Sequence, residues 1–355
     1  MRLQKYSFFL FLQVFFSFFF TFANSFNNNA MKNILGMGNA LVDILTQIPD
    51  DSILEKLQLG KGGMFHVDAA TSLKIGEFLK QYGCEMAAGG STANTMSGAA
   101  KLGVTTGYIG KVGRDERGRF FEKAMTETNV KPLMLTTDTP TGCAEAIITK
   151  DGERTFATYL GAALELCADD IKPEMLDGWD IFYVEGYLIS NRELLNKALP
   201  MAKAKGMKIA LDLASFNVVK DNREYMQDLA KNYLDIIFAN EEEAKAFTLL
   251  DDPVEALHQM ASICEIAVVK VGAKGAYVQH GNQVVKNDPI PAKVVDTTGA
   301  GDLWAAGFMA GLVQGKSIET CAKMGATVAA NIIEVVGAKM DEKRWQKIAN
   351  SLELL

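Results

Sequence analysis

Asp296-Thr297-Thr298-Gly299-Ala300-Gly301-Asp302 runs straight into an apolar stretch, Leu303 to Val313, that has helical character. The junction is a compact anion trap. Small residues let backbone N–H groups crowd a phosphate, the following helix points its positive end there, and a carboxylate sits beside it. A carboxylate next to an anion trap is a poor storage site for phosphate. It is well placed to take a proton from a hydroxyl while a phosphoryl group arrives, so these seven residues imply phosphoryl transfer.

Upstream of this junction, short β-type runs alternate with helical stretches. Strands are expected near residues 33–37, 106–109, 181–184, 208–211, 236–239 and 267–271, with amphipathic helices between them at 192–205 and 254–263. Apolar runs flanked by helices predict an α/β fold: a mainly parallel central sheet covered on both faces. Ligands collect beyond the C-terminal strand ends of such sheets. Residues 60–67 and 144–159 break the rhythm as β-rich insertions, the second a hairpin turning at Lys150-Asp151-Gly152-Glu153. A small sheet projecting from an α/β body is expected to act as a lid, with segments near 45–67 and 135–160.

At 355 residues the chain has room for one large α/β domain with an appendage, or two modest domains. Its composition, 48% apolar and 22% charged, is that of a packed globule. A net charge of -7 and the lack of a basic stripe argue against nucleic-acid binding. The five cysteines lack any C-x-x-C spacing, and with three histidines they favour free thiols in a reducing compartment over disulfides or a zinc site.

Residues 1–30 have another composition. They hold ten of the 20 phenylalanines, with Arg2 and Lys5 ahead of the apolar run and three asparagines behind it. Taken literally the segment is a secretory signal, too short for a comfortable membrane span. An ATP-using enzyme has no nucleotide supply outside the cytoplasm, however, and Met31-Lys32-Asn33-Ile34-Leu35 resembles a natural start. The expectation is therefore a leader or mis-called start at 1–30, one functional unit at 31–355, and a cytoplasmic location without membrane attachment.

Several motifs have competing explanations. Ala310 to Ser317 matches a Walker A pattern formally, but Gly315 and Lys316 end a helix rather than open one, so a helix stop is expected. In Gly36-Met37-Gly38-Asn39-Ala40-Leu41-Val42-Asp43 the third glycine of a dinucleotide fingerprint is Leu41. A strand–turn that aims Asn39 and Asp43 at a polar ligand is the alternative. Gly89-Gly90 lets backbone approach a ligand and then starts a small-residue helix, with Ser91 or Thr92 expected as its N-cap. Asn240-Glu241-Glu242-Glu243 is either a capping box or a pair holding Mg²⁺ through water. The segment around Lys274 and Gly275 is either a hairpin turn or the edge of a nucleotide site. Phe65 and Tyr187 either pack in the core or stack on a purine.

Together these residues resemble the ribokinase-like (PfkB) family of sugar and nucleoside kinases, over essentially all of residues 31–355. Residues 296–302 are the most specific signature, joined in order by Gly89-Gly90, residues 110–118 and 240–243. The resemblance implies a three-layer α/β/α domain with a small β-sheet lid, and ATP and Mg²⁺ as cofactors. It leaves open a monovalent cation such as K⁺ and a monomer or homodimer. It implies Asp302 as general base on the acceptor hydroxyl, and Gly299, Ala300 and Gly301 as the anion hole. Asp43, Asn94, Gly89 and Gly90, with Asn39 beside them, match positions that hold the acceptor. Arg154 matches a basic lid residue that meets the phosphoryl group. Asn240 and Glu243 match the magnesium-associated pair, and Lys274, Gly275, Thr298 and Asn331 lie where the family lodges its nucleotide.

Phosphoryl transfer passes through a loose transition state, so positioning and charge supply most of the catalysis, and Asp302 does not require a strongly raised pKa. The Gly-Gly-Ser-Thr-Ala-Asn run and Pro140-Thr141-Gly142 look most like adenosine kinases, whereas Thr298 is the residue common in sugar kinases. A nucleoside acceptor is expected, with fructose or ribose as the alternative. The remaining rivals are a secreted sugar-binding protein, which needs no base, and a dehydrogenase.

Overall fold

A computed structural model describes residues 31–353; the expected leader, residues 1–30, lies outside them. Seven strands run parallel in the main sheet: β1 (Asn33–Met37), β5 (Thr105–Gly113), β6 (Val130–Thr137), β9 (Ile181–Glu185), β10 (Lys208–Asp212), β11 (Ile236–Asn240) and β12 (Ile266–Lys270). The antiparallel pair β13 (Ala276–His280) and β14 (Gln283–Asn287) extends one edge, giving the order β14-β13-β12-β11-β10-β9-β1-β5-β6. All six strands expected from the sequence lie in this sheet.

Alternation along each strand fills two separate cores, as a sheet covered on both faces requires. Ile34, Tyr108, Tyr183 and Phe238 point to one, packed under helices Ser91–Lys101, Ala300–Val313 and Ile318–Ile332. Leu35, Phe182, Leu211 and Ile237 point to the other, under helices Arg192–Ala204, Phe216–Tyr233 and Pro253–Ala261. The result is the expected three-layer α/β/α arrangement.

A smaller sheet has the order β3-β8-β7-β2-β4, built from β2 (Leu41–Gln47), β3 (Met64–His66), β4 (Glu85–Gly89), β7 (Thr141–Ile148) and β8 (Arg154–Gly161). The 150–153 turn does connect an antiparallel pair, β7 and β8. Sequence reasoning missed β2 and β4. β2 alternates partly and fully buried residues through Asp43, and its partners β4 and β7 lie some forty and a hundred residues away. A cluster of Ile48, Ile53, Leu54, Ile75 and Ile147 backs this sheet, and Phe65 packs against it.

The Walker A match resolves as punctuation. Helix Ala300–Val313 stops before Gly315, which sits at φ 69°, and Ser317 caps the next helix by accepting the Thr320 N–H. No helix among the described residues is long and apolar enough to cross a membrane.

Candidate active site

Asp302 lies in the first turn of helix Ala300–Val313, and the residue before that helix, Gly299, adopts φ 73°. A side chain at Gly299 would be strained by that backbone and would approach Ala338 within 2.7 Å. The first N–H groups of a helix have no intrahelical acceptor. Here Ala300 N is occupied by Thr297 O, which leaves the N–H groups of Gly301 and Asp302 at the positive end of the helix.

Two side chains from helix Ser91–Lys101 meet the carboxylate. Ser91 Oγ donates to Asp302 Oδ1 at 2.9 Å, and Asn94 Nδ2 donates to Oδ2 at 3.0 Å. The expected cap of that helix is thereby corrected. Gly90, at φ 98°, holds the N-cap position without a side-chain bond, and the Ser91 hydroxyl goes to Asp302 instead. Asn94 is buried, and among the described residues its Oδ1 has no partner, a free acceptor next to the Asp302 carboxylate. Burial pushes the Asp302 carboxyl up to about 6; Asp212 adds to the rise, while Asn94, Ser91 and the Lys270 ammonium oppose it. The rise exceeds what the chemistry alone demands and follows from the loss of water around the carboxylate.

Asp43, on β2, lies near enough for the Asp302 charge to act on it. Its carboxyl is also pushed up to about 6 by burial, with Lys339 as the main opposing charge. A Cβ on Gly89 would lie within 2.4 Å of that carboxylate, and one on Gly90 would lie 2.3 Å from Asn39 O. Both glycines are thus required by close approach. Asn39 gives its Nδ2 and its backbone N–H to Glu185 Oε1, and Glu185 Oε2 accepts the Thr92 N–H. Glu185, at the end of β9, supplies from a distance the cap that helix Ser91–Lys101 lacks locally.

Arg154, the first residue of β8, packs against the 296–302 turn. Its Nη1 donates to Thr298 Oγ1 at 3.0 Å, and its Nη2 lies 2.8 Å from Asp296 Oδ2 in a nearly buried ion pair. Asp296 in turn accepts from the Thr298 N–H and hydroxyl and from Gly337 N, which closes the turn as a preformed loop. Asp43, Arg154, Phe156, Thr298 and Lys339 line one pocket between the smaller sheet and the loop residues 298 and 336–339. Phe156 is its aromatic wall. Phe65 lies against the 60–63 turn, and Tyr187 is 43% exposed on the loop after β9.

The remaining candidates sit on the main sheet's C-terminal edge or beyond it. Asn240 and Glu243 form a complete capping box: Asn240 Oδ1 accepts the Glu243 N–H, and both Glu243 oxygens accept from Asn240. Burial pushes the Glu243 carboxyl up to about 7, with Asp212 adding and Lys270 opposing. Among the described residues no group of three or more His, Cys, Asp or Glu side chains is arranged to hold a metal ion. Magnesium that keeps its waters and is carried on phosphate oxygens needs only one or two carboxylates, and the spare lone pairs of Glu243 fit that demand. The free N–H groups after Gly299 likewise fit a phosphate.

Lys274 and Gly275 occupy the turn between β12 and β13, where Val271 N bonds Gly275 O and a Cβ on Gly275 would strike Asn287 O at 2.0 Å. That turn has the hairpin geometry. Asn331, late in helix Ile318–Ile332, donates to Thr327 O, and its carbonyl accepts from Arg344. Sequence reasoning missed Glu185, Lys270, Lys339 and Phe156. No local motif marks them, because each gains its place from partners distant in the chain.

The family model described as pfkB family carbohydrate kinase matches residues 67–344. Adenosine kinase 2 of Arabidopsis thaliana is 28% identical, covering 87% of this chain and 96% of its own. The 5-dehydro-2-deoxygluconokinase of Listeria monocytogenes is 30% identical, over 69% of this chain and 80% of its own. The crystal structure of adenosine kinase from Sinorhizobium meliloti superposes with a TM-score of 0.80 at 33% identity, covering 92% of this chain and 99% of that one. With the family model covering more than three quarters of its length, the chain belongs to the pfkB family of carbohydrate kinases, the family of sugar and nucleoside kinases.

Proposed function

We propose that the protein is an adenosine kinase-like enzyme that transfers the γ-phosphoryl group of ATP to the hydroxymethyl group of a nucleoside, in the cytoplasm. The observation that carries this is Asp302, a carboxylate fixed by Ser91 and Asn94 beside two unoccupied helix N–H groups and within reach of the Asp43 charge. When bound, ATP supplies the electrophilic phosphorus, in this family typically as its Mg²⁺ complex.

The chain's own residues do the rest. Asp43, with Asn39 behind it, orients the acceptor hydroxyls, and Gly89 and Gly90 leave the room in which the Asp43 carboxylate and the Asn39 carbonyl sit. Asp302 takes the proton from the attacking hydroxyl and is kept aimed by Ser91 and Asn94. In the turn set by Gly299, the Gly301 and Asp302 N–H groups face the oxygens that gain charge, a preorganised donor pair that costs no rearrangement during the reaction, while the Ala300 N–H stays bound to Thr297 O. Arg154 keeps the turn closed through Asp296 and Thr298. Glu243, with Asn240, would hold a hydrated Mg²⁺ that neutralises phosphate charge, and Lys274, Gly275 and Asn331 would border the nucleotide. Closure of the smaller sheet as a lid would exclude water and suppress hydrolysis.

A nucleoside is favoured by the adenosine kinase relatives and by Phe156, an aromatic wall that can face a base. A sugar acceptor is the second reading, supported by Thr298, by the Listeria relative, and by the charged lining from Asp43 and Lys339. Turnover of adenosine, inosine, ribose and fructose with Mg-ATP, followed as ADP release, separates the two. Adenosine preferred at least tenfold in kcat/KM is expected. Fructose or ribose ahead of both nucleosides would overturn the nucleoside assignment.

A further inference from the structure

Lys270, the last residue of β12, is not explained by the roles above. Its Nζ donates to Asp212 Oδ2 at 3.1 Å, at the end of β10, and only 14% of its side chain is exposed. A Cβ built on Gly301 would lie 3.2 Å from that Nζ, so the ammonium rests against the bare backbone in the first turn of helix Ala300–Val313. An ammonium carries three protons. One goes to Asp212, and among the described residues no other acceptor takes the remaining two.

Asp212 is itself held, accepting from Ala214 N at 3.2 Å and from Tyr183 Oη at 3.4 Å. The other charged groups around the ammonium are Glu243 and Asp302. A lysine in this position is a poor choice for stability, because a buried ion pair is commonly matched or bettered by apolar residues of similar volume. A charge needed at the anion trap accounts for it better.

We infer that Lys270 is a catalytic residue, positioned by Asp212, whose ammonium stabilises the negative charge of the transferring phosphoryl group at Gly301. This rests on the chain being a phosphotransferase and not on which alcohol it uses. The ammonium binds the equatorial oxygens while the bond to ADP breaks and the bond to the acceptor oxygen forms; it keeps its proton, and the acceptor's proton goes to Asp302.

The rival explanation is a purely structural ion pair. The double variant Lys270→Met with Asp212→Asn removes both charges and leaves neither partner stranded. It is expected to melt within a few degrees of wild type, to bind ADP within about threefold, and to lose on the order of 10²-fold in kcat. A second readout uses ADP with aluminium fluoride, a planar mimic of the migrating group, measured by calorimetry without any acceptor. Its affinity should fall far more than that of ADP alone. A double variant with near-normal kcat overturns the assignment, as does an equal loss for ADP and the mimic. A large drop in melting temperature assigns the pair to stability and overturns it too. Because the fluoride measurement needs no acceptor, Lys270 is tested even if neither nucleosides nor sugars are substrates.

Discussion

Glu185 Oε1 accepts two hydrogen bonds from Asn39, from the backbone N–H at 2.8 Å and from Nδ2 at 2.7 Å, while Oε2 takes the Thr92 N–H at 3.1 Å. One buried carboxylate thus ties the turn after β1 to the start of the helix that carries Ser91 and Asn94. Glu185→Gln keeps the shape but turns an NH₂ group toward a donor. It should cost roughly 1–3 kcal/mol, seen as a lower melting temperature, because a buried N–H loses its acceptor. Acceptor KM should rise as Asn39 loosens, while nucleotide affinity holds. Unchanged melting and KM would show that this carboxylate positions nothing.

What could be foreseen from the sequence has a physical boundary. The parallel sheet, the 150–153 hairpin and the Gly299 turn are written in local features: apolar runs, turn residues and glycines before a helix. Asp302 stood out because it is adjacent to that turn. Glu185 and Lys270 are single charged residues at strand ends and look like any others until the sheet aligns them with Asn39 and Gly301. Ser91 shows the same limit from the other side. Its sequence context says N-cap, yet its partner is 211 residues away, and tertiary contact overrides the local preference.

Asp302→Asn should remove at least ~3 kcal/mol of transition-state stabilisation, a fall of about 10²-fold or more in rate, with ATP still bound. Near-normal turnover would refute its role as base. The amide can still accept from Ser91 Oγ, so the fold is expected to survive.

Acidity should act through the same residue. Asp302 and Asp43 both have carboxyls pushed up to about 6, and a base works only when ionised. The rate kcat/KM should therefore be flat above pH 7 and fall about tenfold per unit below the macroscopic values of this pair. A profile flat down to pH 5 would place the proton acceptor elsewhere.

Arg154 has two roles to separate: closing the turn through Asp296, and meeting the phosphoryl group. Arg154→Met strands a nearly buried Asp296 and should destabilise by roughly 3 kcal/mol or more. Adding Asp296→Asn removes the stranded charge and should restore most of the melting temperature. Turnover that stays low in the double variant places the guanidinium on the phosphoryl group. Turnover that recovers with stability confines Arg154 to the turn.

The last test concerns Glu145, on β7 of the smaller sheet, which is fully buried with neither oxygen hydrogen-bonded among the described residues. Arg117 Nη2 is 3.7 Å away but gives its other nitrogen, Nη1, to Cys143 Sγ. Burial pushes the Glu145 carboxyl up from 4.5 to about 7, with Arg117 opposing. A folded pKa above the unfolded one means that the native state binds the proton more tightly. The stability that this one carboxyl contributes is then greatest below about pH 4.5, declines as pH rises toward 7, and is level above it, a total of roughly 3 kcal/mol. Glu145→Gln keeps the shape and stays neutral, so it should match wild type near pH 4.5 and melt higher at pH 8. If wild type instead melts higher at pH 8, the ionised carboxylate is paired well enough with Arg117 to offset its desolvation, and burial is not what governs this residue.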